Sequence, residues 1–174
     1  VFLRPQDYVK ASLELRTAYT YSQGRRLDFR FFAGAFLKST FRNKNSYLAP
    51  AFNASGQGFN DYRYDDLYFG RNDGNTAWTR QIHIREGGMK TAFGNQFSQV
   101  QGRSNSFMIA ANLKADLPQN LPFNLPIKPY FDIAFIKDAR ENLGAEATFN
   151  DQLWWSAGFM LNIADGGAAA YFPV

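Results

Sequence analysis

The stretch Tyr8-Val9-Lys10-Ala11-Ser12-Leu13-Glu14-Leu15-Arg16-Thr17-Ala18-Tyr19-Thr20-Tyr21-Ser22 decides the fold class. Its odd positions read Val9, Ala11, Leu13, Leu15, Thr17, Tyr19 and Tyr21. Its even positions read Lys10, Ser12, Glu14, Arg16, Ala18, Thr20 and Ser22. This is period-2 alternation, which separates the two classes onto opposite faces of a strand and would mix them on a helix. The run is far longer than the about 5–6 residues of an average strand. It matches a tilted membrane strand, which needs roughly 9–11 residues.

Reading outward, Gln23-Gly24-Arg25-Arg26 predicts a turn, with Gly24 free to take positive φ. The chain returns with Leu27, Phe29, Phe31, Ala33, Ala35 and Leu37 against Asp28, Arg30, Phe32, Gly34, Phe36 and Lys38. The resulting hairpin brings Glu14, Arg16, Asp28 and Arg30 to one face as a charge cluster. Residues 39–60 read as a long excursion with a short strand at 47–55. The tyrosine-rich 62–71 reads as a strand end near an interface, 72–75 (Asn-Asp-Gly-Asn) as a turn, and 78–85 as a further strand that Gly87-Gly88 breaks. A polar loop over 91–105 precedes the alternating strand 107–115. A connection punctuated by Pro118, Pro122, Pro126 and Pro129 leads to the strand at 131–135. A polar connection over 138–151, a strand at 155–163, a turn at Asp165-Gly166-Gly167 and a last strand over 168–174 complete eight or nine strands with no helix.

Composition narrows the class. The 174 residues suit one domain. Aromatic residues reach 17%, yet mean hydropathy is −0.38, so rings and polar groups are finely interleaved. No apolar run approaches the about 20 residues of a membrane-spanning helix. With Cys 0, disulfides, thiolate metal sites and cysteine nucleophiles are excluded.

Long strands with one aromatic and aliphatic face suit either a soluble barrel with that face inward or a membrane barrel with it toward lipid. Small or uncharged residues on the opposite face (Ser12, Ala18, Thr20, Gly34, Ser156, Gly158, Asn162) favour the membrane barrel. So do aromatics near strand ends (Tyr19, Tyr21, Tyr62, Tyr64, Tyr68, Tyr130, Trp154), which resemble an interfacial girdle. The expected fold is therefore all-β: an antiparallel membrane β-barrel in which 1–174 form a single segment, a fragment of a longer chain and part of a larger barrel. Leu13, Leu15, Phe29, Phe31, Phe159 and Leu161 are expected to face lipid. Glu14, Arg16, Asp28 and Arg30 are expected to form a lumen ion-pair ladder, with Lys10 a polar-face residue whose loss matters little.

Other constellations carry less. His83, the one histidine, lacks partners at metal spacing. Asp61, Asp65 and Asp66 lack the spacing of a calcium loop and read as loop-end charges. Basic residues among aromatics (Arg25, Arg26, Arg30, Phe31, Phe32, Lys38, Phe41, Arg42, Lys44) suit stacked nucleic acid, but their place at strand ends favours lipid headgroups or lipopolysaccharide phosphates. Gly70 to Gly74 and Gly87-Gly88 lack the helix that a phosphate loop requires. Asn53-Ala54-Ser55 matches a glycosylation acceptor only as a three-residue pattern. No catalytic residue, metal site or cofactor is assigned.

Four stretches in order resemble a known family. Leu27-Asp28-Phe29-Arg30-Phe31-Phe32-Ala33-Gly34, the run 62–71, Arg85-Glu86-Gly87-Gly88-Met89-Lys90, and 151–163 with 170–174 are similar to the C-terminal regions of large M1-type metallopeptidases of Gram-negative bacteria. Similar strands occur in the surface-antigen barrels of outer-membrane assembly proteins. The resemblance implies an outer-membrane β-barrel that anchors or scaffolds a larger protein, whose zinc-binding His-Glu-x-x-His helix would lie upstream and has no match here. Expected partners are membrane lipid or lipopolysaccharide, the rest of the parent chain and other outer-membrane proteins. A porin-like channel and a soluble lipocalin-like ligand-binding barrel are the alternatives.

Overall fold

Residues that alternate in sequence do so in space. The computed structural model describes residues 7–40, 50–54, 86–90, 102–117, 127–140, 148–163 and 168–174. Long strands dominate them: β1 (Tyr8–Ser22), β2 (Arg25–Ser39), β5 (Phe107–Ala115), β6 (Ile127–Arg140) and β7 (Phe149–Ile163), with a shorter β8 (Ala168–Pro173). Two residue pairs, β3 (Phe52–Asn53) and β4 (Arg103–Ser104), form a small separate ribbon. No helix occurs among the described residues.

The long strands form one six-stranded sheet in the order β1-β2-β5-β6-β7-β8, antiparallel at every step. Strands adjacent in the sheet also follow one another along the chain, except that β3 and β4 intervene between β2 and β5. Among the described residues the sheet is open, with β1 and β8 as its edges and no closure into a barrel. Gln23 and Gly24 alone make the first turn, Gly24 at φ +70°, so Arg25 and Arg26 belong to β2 rather than to the turn.

Continuous register stacks side chains into rows across the sheet. One row on the first face is Leu15, Phe31, Ala111, Ile133 and Trp155; the next is Leu13, Ala33, Ile109, Phe135 and Leu153. On the opposite face, Arg16, Arg30, Asn112, Asp132 and Ser156 form a polar row. Beside it lie Glu14, Phe32, Ala110, Ala134 and Trp154. A shift between Ile136 and Ala139, with Asp138 at φ +51°, ends this regularity in β6. Pro129 sits one residue beyond the last β5–β6 partner, Tyr130, where its missing N–H breaks no pair with β5.

Several expected boundaries change. Of the expected short strand at 47–55, the described residues 50–54 are paired only at Phe52–Asn53, and the expected loop at 91–105 contains β4. The polar connection at 138–151 shrinks because β6 runs to Arg140 and β7 starts at Phe149. Backbone pairing carries these strands past the point where their apolar alternation stops. The tyrosine-rich stretch 62–71, the turn at 72–75, the strand at 78–85, His83, Asp61, Asp65, Asp66, Pro118, Pro122 and the Asp165-Gly166-Gly167 turn lie outside the described residues.

Candidate functional site

The two faces of the sheet have opposite fates. The face with Arg30, Phe32, Gly34 and Phe36 is covered by residues 50–54, 86–90 and 102–106, which fold back over it. Backbone bonds join the three strips: Ala54 N–H donates to the Gly102 carbonyl (2.8 Å) and Met89 N–H to the Ala54 carbonyl (2.8 Å). Phe52 packs edge-on against Phe36 and Phe32, with ring centroids 5.0 and 5.8 Å away. Met89, Met108, Ala110, Ala134, Ile136 and Ala139 complete a buried cluster around them. Gly34 makes room for Phe52, since a Cβ there would lie 2.5 Å from the ring. This explains why Phe32 and Phe36 interrupt the polar face of β2.

The polar row is covered mainly by Glu86-Gly87-Gly88-Met89-Lys90. Lys90 Nζ donates to Asp132 Oδ1 at 2.5 Å, and both side chains are buried, at 3% and 0% exposure. Lys90 N–H donates to Asp132 Oδ2 (3.2 Å), and Asn112 Nδ2 donates to Oδ1 (3.0 Å) and to the Gly87 carbonyl (3.1 Å). Arg30 continues the network: Nη1 donates to Asn112 Oδ1 (2.8 Å), and Nη2 to Glu14 Oε2 (2.9 Å) and the Glu86 carbonyl (2.6 Å). Glu86 closes the other side, its carboxylate accepting from Lys10 Nζ (2.7 Å) and from the Asn53 N–H. Two features of the strip are conformational. Gly88 has φ +65°, and a Cβ on Gly87 would lie 2.7 Å from the Ala54 carbonyl oxygen.

Of the expected charge cluster, Glu14, Arg16 and Arg30 meet directly, Glu14 pairing with both arginines. Asp28 is one row away, paired instead with Arg26 (3.0 Å) and Lys114 (3.5 Å). The six residues expected to face lipid lie together on the sheet face opposite the network: Leu13, Leu15 and Phe159 are exposed, and Phe29, Phe31 and Leu161 are half-buried. Three expectations need correction. Tyr130 and Trp154 lie on the covered face, because even positions in β6 and β7 point there, so neither joins a girdle on the other face. Lys10 is not a free polar residue: it pairs with Glu86 and sits 4.1 Å from the centroid of the Phe52 ring. Lys90, Asn112, Asp132 and Glu86 form the centre of the network. Sequence named Glu86 and Lys90 only within the stretch 85–90 that carries the resemblance and gave Asn112 and Asp132 no role, since Lys90 and Asp132 are 42 positions apart.

The opposite face is open. Leu13, Leu15, Tyr19, Leu37, Phe131, Phe135, Leu153, Trp155, Phe159 and Phe172 are all exposed on it, with Leu153 and Trp155 at 66%. A continuous apolar surface of this kind marks contact with a partner or with lipid. Among the described residues no group of three or more His, Cys, Asp or Glu is placed to hold a metal. Comparisons with protein-family models, curated proteins and solved structures find no match to this chain.

Proposed function

We propose that this chain is a segment of a bacterial outer-membrane β-barrel that anchors or scaffolds a larger protein and is not itself catalytic. The observation that carries the reading is the inversion of the sheet: large apolar side chains are exposed on one face, while ion pairs are buried on the other. A soluble ligand-binding barrel has the reverse arrangement, with apolar side chains inward. Lipid removes the penalty for exposing Leu, Trp and Phe, and a covered interior gives the charges partners. The edges at β1 and β8 point the same way. In hydrocarbon each unpaired backbone group costs several kcal/mol, so further strands from the parent chain or a partner complete the sheet.

The strips at 50–54, 86–90 and 102–106 occupy the covered face, which favours a sealed anchor over an open channel. Their connection, 40–106, is the long one, and the β1–β2 turn at the other end is short. Long loops lie outside the cell and short turns in the periplasm in such barrels, which orients the segment. On the resemblance set out above, the anchored partner is an M1-type metallopeptidase domain. Fractionation followed by denatured intact-mass measurement tests the reading. Extraction only by detergent, at a mass far above 19.8 kDa, is expected. Recovery from the soluble fraction, or a mass near that of this chain alone, overturns it.

A further inference from the structure

At the turn end of the covered face lies a cavity of about 420 Å³, lined by Arg16, Arg26, Asp28, Arg30, Lys90 and Lys114, with Asn112 at its wall. Among the described residues the carboxylates paired with these cations are Glu14, shared by Arg16 and Arg30; Asp28, shared by Arg26 and Lys114; and Asp132, taken by Lys90. Among the described residues five cations thus share three carboxylates, an excess of two positive charges. Arg30 is itself only 9% exposed and spends its Nη atoms on Glu14, Asn112 and the Glu86 carbonyl, so the more exposed Arg16, Arg26 and Lys114 present the positive charge at the mouth.

We propose that this cavity binds a phosphate group, carried by a small soluble phosphate or by a lipid headgroup. A phosphomonoester carries about −1.5 to −2 charges at pH 7, matching the local excess, and presents several acceptor oxygens. Arginine suits such an acceptor because its planar fork makes paired, charge-assisted bonds to phosphate. The nearby Asp116 does not compete, since Lys128 engages it at 2.7 Å. The site rests on the cavity and its charges and not on the membrane reading, so the two fail separately.

The test is calorimetric titration of the full parent protein, in detergent if it extracts that way and in buffer if it does not. Inorganic phosphate is the probe in one arm and a short-chain phosphatidic acid in the other. Saturable binding of inorganic phosphate assigns a soluble source; saturable binding of the lipid alone assigns a headgroup. Arg26→Gln and Lys114→Gln, whose side chains are 57% and 34% exposed, keep the buried network intact and should each weaken binding about tenfold. Lys38→Gln, outside the cavity, should leave it unchanged. Absence of saturable binding in both arms, or binding that Arg26→Gln and Lys114→Gln do not weaken, overturns the proposal.

Discussion

Asp132 accepts three hydrogen bonds where its carboxylate is fully shielded from water. Taking two charges out of water is costly, and their attraction offsets this only when the remaining hydrogen-bonding capacity is also used. Asn112 and the Lys90 N–H meet that condition. Asp132→Ala therefore leaves the Lys90 ammonium buried and uncompensated, and should destabilise by about 3–5 kcal/mol. Lys90→Met combined with Asp132→Leu should cost much less, because no charge is left behind; denaturant unfolding of the two variants beside wild type checks this. Gly87 offers a second test without charge. Gly87→Ala drives a Cβ into the Ala54 backbone, an overpacking worth about 1–3 kcal/mol. Proteolysis within 86–90 should accelerate while the strand signal in circular dichroism is unchanged.

At the scale of the element, β1 and β2 show what a sequence exposes and what it hides. Alternation fixed their faces, because strand geometry gives each residue a side from its position alone. The same logic grouped Leu13, Leu15, Phe29, Phe31, Phe159 and Leu161 on one face across three strands. It could not assign the partners of Arg30, since Asn112 lies 82 positions away and Glu86 56. Nor could it show that Lys10 serves the strip at 86–90, because nothing local to β1 encodes a segment folding back from 76 positions on. Leu15 sits mid-strand and Leu37 near a strand end. With lipid on this face, Leu15→Arg should cost about 2–4 kcal/mol and Leu37→Arg about 0–1, measured by unfolding from detergent or bilayers. The connection after β5 carries a pH effect. Burial raises the Asp116 carboxyl, but hydrogen bonds from Lys128 and the Arg26 N–H, with the charges of Lys128 and Arg25, outweigh it and hold it below the usual range. A lowered folded pKa contributes stability above the unfolded value of about 3.9 and loses it as pH falls through the folded value. Wild type should thus lose more stability than Asp116→Asn as the pH is lowered through that window, read from unfolding at a series of pH values.

For the whole molecule, the environment that the open face meets is decisive. The long antiparallel strands were legible in their alternation, although β4 fell within an expected loop and β6 and β7 ran into an expected connection. Closure was not, because it depends on which strands meet at the edges of β1 and β8, and edge pairing leaves no mark on the alternation within a strand. These 174 residues contain no cysteine, so a cysteine introduced here is unique within them. Single cysteines at Leu15 and Leu153 on the open face, and at Glu14 on the covered face, take a nitroxide label in the protein reconstituted into vesicles. The account predicts that labels at Leu15 and Leu153 relax strongly with oxygen and are shielded from a water-soluble nickel complex, while the label at Glu14 shows neither lipid-like pattern. Free access of the nickel complex to Leu15 and Leu153 would contradict it.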